Sequence, residues 1–262
     1  MSTSYLAATD VTVSFGQGNA SILALDNVST TMDEGEFVSI VGPSGCGKST
    51  LFNVMAGIMQ PGRGTISLKG EDVTNRTGHA GYRMQSDLLV PWRTVLGNVT
   101  LCKEVEGVPR RALRDRAMQL LKRFGLEPFA DRYPTALSGG MRQRAAMIRT
   151  ILSDKELFLL DEPFGALDAQ TRSLMQEWLL DVWTEFKKTI VFITHDIDEA
   201  IYLSDRVYIM SARPGRILSN LTIDLKRPRG AELRVDPSYI AIKAQILDMI
   251  REQSILALQT AS

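Results

Sequence analysis

The sequence predicts an α/β fold built on a mainly parallel sheet with helices covering both faces. Short apolar runs at Phe37 to Val41, Leu157 to Leu160 and Ile190 to Ile193 have the length of buried strands, and segments of helical periodicity separate them. A glycine-rich loop, Gly42-Pro43-Ser44-Gly45-Cys46-Gly47-Lys48-Ser49, follows the first run and leads into a helical pattern, the strand–loop–helix order of a phosphate-binding unit. The chain has 262 residues, 44% hydrophobic and 23% charged, enough for one sizeable core with small appended subdomains.

Along the chain, Val11, Val13 and Phe15 alternate with polar residues, the mark of a half-buried strand. The helix after the glycine-rich loop carries Leu51, Phe52, Val54 and Met55, and Thr65 to Lys69 reads as a strand bracketed by Gly64 and Gly70. From Pro109 to Phe124 the pattern is helical, with Leu113, Ala117, Leu120, Leu121 and Phe124 on one face and Gly125 at the terminating position. A second helix is predicted to begin near Ser138. Leu174, Trp178, Val182 and Phe186 recur every four residues and mark a third. Val207 to Met210 and Ile217 to Ile223 flank Arg213-Pro214-Gly215 as a hairpin. Asp236-Pro237 then opens a last helix as N-cap and first helical residue, and the last few residues are expected to fray.

Charge and cysteine content narrow the function. Lys+Arg and Asp+Glu both number 30, without the basic excess or stripe of a nucleic-acid binder. Arg110, Arg111, Arg114 and Arg116 lie on a helical pattern and read as a solvated face. Cys46 and Cys102 are the only cysteines, which is no disulfide framework and suits a reducing cytosol. Met1 to Asp10 lack a signal-peptide pattern, and no apolar run approaches the ~20 residues that span a bilayer, so a membrane role is expected to be peripheral.

The glycine-rich loop matches G-x-x-x-x-G-K-S in full. Glycines let the backbone curl so that successive N–H groups point at phosphate oxygens, and the following helix adds its positive dipole end. Lys48 is the expected β/γ-phosphate bridge, Ser49 the hydroxyl for Mg²⁺, and Thr50 the next nucleotide contact. Leu157 to Leu160 ends in Asp161-Glu162, carboxylates predicted to face the phosphate loop from a strand's C-terminal edge. Asp161 is expected to hold Mg²⁺ through water and Glu162 to polarise the attacking water. His195 ends another apolar strand and is expected to contact the γ-phosphate or that water, whereas His79 reads as a surface residue. In Leu137-Ser138-Gly139-Gly140-Met141-Arg142-Gln143-Arg144, Ser138 can N-cap a helix while Gly139 and Gly140 expose backbone N–H groups, a second anion site without a lysine.

This last segment, apart from Met141, resembles the LSGGQ-type signature of the ABC ATPase family, and the resemblance extends over almost the whole chain. It implies a P-loop core with an antiparallel β subdomain and an inserted α-helical subdomain. The implied division gives residues 1–85 and 156–235 to the nucleotide-binding core, 86–155 to the helical signature subdomain and 236–262 to a C-terminal helical tail. It implies binding and hydrolysis of ATP with Mg²⁺ in a homodimer, where the signature of one subunit closes over the ATP on the phosphate loop of the other. Phe15 looks like the aromatic that stacks on adenine, a core strand position being the other reading. Gln85 looks like the lid glutamine that senses Mg²⁺, Ala166-Leu167-Asp168 like the loop crossing the dimer interface, Glu162 like the catalytic glutamate and His195 like the switch histidine.

Leu88-Leu89-Val90-Pro91-Trp92, Asp161-Glu162-Pro163-Phe164-Gly165-Ala166-Leu167-Asp168 and Ser211-Ala212-Arg213-Pro214-Gly215-Arg216-Ile217 look like the nitrate/sulfonate/taurine importer branch, features shared with importers of vitamin precursors. That branch implies two membrane permease subunits, an external solute-binding protein and a place on the cytoplasmic face of the membrane. In it, the region after the lid glutamine helps form a groove for a short permease helix. Two departures stand out: Arg83-Met84 replaces the usual apolar-aromatic pair before Gln85, and Ile148-Arg149-Thr150 stands where Ala-Arg-Ala is typical. An exporter or lipid-handling ATPase shares every catalytic residue. A DNA-maintenance ATPase shares the motifs too, but places a very long coiled coil between phosphate loop and signature. Such a subunit does not touch the cargo, so no residue here encodes the solute.

Overall fold

Strand β1 (Leu6–Phe15) buries Val11 and Val13 and ends on an exposed Phe15, and β2 (Ile22–Met32) pairs with it antiparallel. The computed structural model describes residues 4–16 and 21–260; the expectations that reach Met1 to Thr3 and Ala261-Ser262 lie outside the described residues there. Strand β3 (Phe37–Val41) is buried at every position and runs into the phosphate loop and α1 (Lys48–Met55). Next come β4 (Arg63–Leu68), β5 (Glu71–Asp72) and β6 (Ala80–Arg83), then α2 (Val95–Val99), α3 (Leu101–Val105), α4 (Arg110–Arg123) and α5 (Gly139–Leu152). Strand β7 (Leu157–Asp161), α6 (Ala169–Phe186), β8 (Thr189–Ile193), α7 (Ile197–Leu203), β9 (Arg206–Met210), β10 (Ile217–Thr222) and α8 (Pro237–Thr260) complete the order.

The chain divides, within α6, into two compact units: Met1–His79 with Leu180–Ser262, and Ala80–Leu179. In the first unit, β2, β1, β4 and β5 form an antiparallel sheet in that order. Beside it, β3 lies between β8 and β9, parallel to both, and β10 turns back antiparallel on β9 as the predicted hairpin. Strands buried on both faces need a covering layer on each side. On one, α7 and α8 pack Ile197, Ala200, Ile201, Tyr239 and Ile246 against Val41, Val207 and Ile209. Phe37 also meets Trp183 edge-on, and the Trp183 indole N–H donates to Gly35 O at 2.9 Å. Asp236 caps α8 as predicted, its Oδ1 accepting from Ser238 N at 2.7 Å.

The second unit pairs β6 parallel to β7 and carries α2 to α5, the helical segment implied by the resemblance. Helix α4 buries Ala117 and Leu121 and ends at Gly125 (φ +65°), while Arg110, Arg111, Arg114 and Arg116 are exposed as predicted. Two expectations need correction. A spacing of four residues gains about 40° per step on a 3.6-residue helix, so the stripe read through Leu174, Trp178, Val182 and Phe186 drifts around α6. Leu174 and Phe186 are exposed, and the buried face is Met175, Trp178, Leu179 and Val182. His79 is half-buried rather than on the surface, with Nε2 at 2.8 Å from Met55 O at the end of α1. Among the described residues, no helix is long and apolar enough to cross a membrane.

Candidate active site

The phosphate loop takes the shape its glycines permit. Gly45 (φ +75°) and Gly47 (φ +104°) lie in the left-handed region, where a side chain would be strained. A Cβ on Gly47 would stand 2.7 Å from Leu25 Cδ2, so β2 backs the loop as closely as a glycine allows. Gly42 is equally confined, because its Cβ would come within 2.9 Å of Met210 O at the end of β9. Lys48 is buried, and its Nζ donates to Gly42 O at 2.8 Å and Pro43 O at 2.9 Å. An ammonium has three donors: two hold the group across the loop, and the third points to Cys46 Sγ at 3.7 Å, a weak acceptor that an incoming anion can displace. Helix α1 has no side-chain cap, which leaves its first N–H groups to a ligand. A triphosphate fits this cradle of curled backbone, buried cation and open helix end. Pro43 and Thr50 are half-buried, Ser44 and Ser49 exposed, and Cys46 is buried.

Two further residues of this unit were predicted to serve the site. His195 follows β8 and is exposed; Thr194 beside it is buried and donates from Oγ1 to Glu199 Oε2 at 2.6 Å. Phe15 is 44% exposed at the end of β1, which excludes the core reading and leaves its ring open to a partner.

In the second unit, β7 delivers Asp161 buried and Glu162 half-exposed. Glu162 has φ +44°, a left-handed conformation costing about 1–2 kcal/mol for a residue with a Cβ. The neighbouring carboxylates, one buried and one half-exposed, therefore stand in different surroundings. Gln85 reaches Glu162, its Nε2 donating to Oε2 at 3.2 Å, which frees the amide oxygen to act as a ligand. The hydroxyl of Ser49, the amide of Gln85 and the carboxylate of Asp161 are each hard-oxygen donors, the chemistry Mg²⁺ takes alongside phosphate.

Ser138 caps α5, its Oγ accepting from Met141 N at 3.3 Å, with Gly139 and Gly140 in the first turn. Asp168 caps α6 through Thr171 N at 2.9 Å, and hydrogen bonding from the Thr171 backbone and then its hydroxyl holds the carboxyl below its usual pKa.

The loop after Gln85 is held by residues that the sequence did not single out as partners. Arg142 Nε pairs with Asp87 Oδ2 at 3.0 Å, and Arg149 donates to Leu88 O and Asp87 O, both at 2.7 Å, so α5 grips this loop at two levels. Asn98 is fully buried. It accepts from Val90 N at 2.7 Å and donates to the carbonyls of Val90, Arg93 and Thr94. Within the loop, Leu89 is buried at 8% exposure, whereas Leu88 (55%) and Trp92 (78%) stand in solvent.

Comparison with known proteins gives concordant matches. The family model for ABC transporter matches residues 25–165. An uncharacterised ABC transporter ATP-binding protein of Methanocaldococcus jannaschii is 44% identical over 91% of this chain and 88% of its own length. An aliphatic sulfonates import ATP-binding protein of Bacillus thuringiensis subsp. konkukian is 38% identical, covering 94% and 96% of the two chains. A taurine import ATP-binding protein of Rhizobium johnstonii is 42% identical, covering 85% and 87%. Among solved structures, a dimeric ATP-binding cassette in a post-hydrolysis state with ADP and phosphate superposes with a TM-score of 0.76 at 32% identity, covering 86% of this chain and 99% of that one.

Proposed function

The chain belongs to the ABC transporter family of ATP-binding, ATP-hydrolysing cassettes, and from that premise we propose that it energises import of a small sulfonate-type solute through partner permease subunits. The sulfonate and taurine relatives, each matched along nearly their full length, support the solute class. The same reading takes the chain to work as a homodimer on the cytoplasmic face of a membrane, served by an external solute-binding protein. The observation that carries the transport role is Trp92, 78% exposed on a loop otherwise fixed by Asn98 and α5. A large aromatic held out on a rigid loop suits a protein partner.

The chemistry follows from the side chains. Lys48 and the first N–H groups of α1 bind and orient the polyphosphate. Ser49, Gln85 and Asp161 hold Mg²⁺, which when bound neutralises charge on the phosphates. Glu162 accepts a hydrogen bond from the attacking water, and Gln85, bonded to Glu162, keeps that carboxylate oriented. His195 contacts the γ-phosphate or the same water, Phe15 stacks on the base, and Ser138, Gly139 and Gly140 close over the nucleotide of the other subunit, with Asp168 near that junction. Functionally, 1–85 with 156–235 form the nucleotide-binding part, 86–155 the signature part and 236–262 a tail.

Trp92→Asp is expected to weaken permease binding about 30-fold, the scale of a hot-spot aromatic worth ~2 kcal/mol, and to lower transport in reconstituted vesicles. The isolated subunit is expected to keep its basal ATPase activity within about twofold, a smaller effect than the loss of one hot-spot contact. Equal losses in binding, transport and basal hydrolysis would assign Trp92 to folding instead.

The dimer has its own test. Ser138→Arg and Lys48→Ala homodimers are each expected to be inactive. Mixed 1:1, they form heterodimers with one intact site and one doubly damaged site, and part of the hydrolysis is expected to return. Verified heterodimers without recovered hydrolysis would overturn the pairing of Ser138 and Lys48 across subunits.

A further inference from the structure

Arg83 is a costly residue in its position. It ends β6 opposite Leu160 of β7, at 2% exposure. Burying a guanidinium forfeits several kcal/mol of hydration, and an apolar residue of similar volume is commonly neutral or stabilising in its place. The cation is not fully satisfied either: Nε and Nη2 are buried without a hydrogen-bond partner among the described residues. A side chain retained only for stability would make better use of its donors.

The hydrogen bonds Arg83 does make converge on the candidate active site. Nη1 donates to Met84 O, to Gln85 O at 3.1 Å and to Asp161 O at 3.3 Å. One nitrogen thereby ties the start of the lid loop to the end of the strand that carries the paired carboxylates. Gln85 and Glu162 branch from the two chain segments that this nitrogen joins, and their side chains meet at 3.2 Å. Burial lowers the guanidinium pKa to about 10, against the opposing pull of Asp161 and Asp87, so the group is a cation at neutral pH.

We infer that Arg83 is a positioning residue for ATP hydrolysis: it pins the backbone at Gln85 to the end of β7 and so fixes Gln85 against Glu162. The inference rests on the reading of Gln85 and Glu162 as the hydrolytic pair. Without Arg83 the lid loop keeps its outer attachments through Arg142 and Arg149 to Asp87 and Leu88 but loses its inner one. Gln85 then samples positions away from Glu162, and hydrolysis falls while nucleotide binding at the phosphate loop persists.

The test compares Arg83→Met, close in length and uncharged, with Arg83→Lys, which keeps the charge and loses the fork. Arg83→Met is expected to lower kcat about 10- to 100-fold, the scale of a misplacement near 1 Å. Its Kd for a fluorescent ATP analogue is expected to stay within about threefold, since the phosphate-loop contacts are untouched. Amide exchange at residues 84–87 is expected to speed up, and Arg83→Lys to fall between parent and Arg83→Met in both readouts. In a Gln85→Ala background, Arg83→Met should add little further loss of kcat, because the residue it positions is gone. The same fold loss in both backgrounds, or unchanged exchange at 84–87, would overturn the inference. If Arg83→Met does not fold, Arg83→Lys carries the same cycle and the same exchange measurement. A Gln85→Ala variant with parental kcat would refute the hydrolytic reading of Gln85, while the exchange result still decides whether Arg83 pins the loop.

Discussion

Lys48→Ala is expected to reduce kcat/KM for ATP by about 10²–10⁴-fold and to leave turnover near background. Lys48 supplies the fixed cation of the loop with one donor for the polyphosphate; truncating one partner of a buried, hydrogen-bonded charge pair costs about 2–5 kcal/mol, and each 1.36 kcal/mol is a factor of ten. The variant also strips Gly42 O and Pro43 O of their donor, so a loss of stability of about 1–3 kcal/mol is expected alongside. A melting curve separates the two effects: inactivity in a folded sample is the predicted result. Parental hydrolysis in that sample would remove Lys48, and with it the phosphate-loop assignment. Lys48→Arg is expected to rescue poorly, because a wider planar guanidinium replaces a compact ammonium in a buried slot of the curled loop.

Glu162→Gln separates binding from chemistry. The amide is nearly isosteric, and its oxygen can still accept from Gln85, so the local arrangement at 3.2 Å survives while the basic carboxylate is lost. Hydrolysis is expected to fall by roughly 10²–10⁴-fold, the range for a lost general base, with ATP binding retained. Stalled before hydrolysis, the subunits should accumulate as an ATP-bound dimer, since a ligand that binds the closed state stabilises it by mass action. Size-exclusion chromatography with Mg-ATP, run beside a turnover assay, reads both. Near-normal hydrolysis without an ATP-dependent dimer would take Glu162 out of the mechanism.

The fold was legible where chemistry imposes a period or a glycine. The apolar runs of β3, β7 and β8 and the loop between β3 and α1 read directly, because strands buried on both faces and curled phosphate loops admit few alternatives. The caps at Ser138 and Asp236 were equally plain. The face of α6 was misread because a step of four residues is not the helix period. The burial of Leu89 beside exposed Leu88 was not legible, since neighbouring leucines in a loop carry no period. Side-chain to backbone ties over long separations, such as Arg149 to Asp87 O across 62 residues, leave no pattern in a single sequence. Arg83 did leave a trace, as a departure from the pattern the sequence resembles, but its tie to Asp161 O emerges only when β6 lies beside β7.

Glu162 sits on a backbone of the wrong hand for a side chain, at φ +44°. Judged by folding alone, this position favours glycine, which adopts such a turn without the ~1–2 kcal/mol penalty borne by other L-residues. If Glu162 serves hydrolysis as proposed, stability and turnover make opposite demands on this position. In a lineage that ceased to need hydrolysis, the glutamate would be among the first residues to drift, and its replacement by glycine would make the protein sturdier. On the proposed role of Glu162, the strain at this turn is the cost of placing a carboxylate where the attacking water would stand.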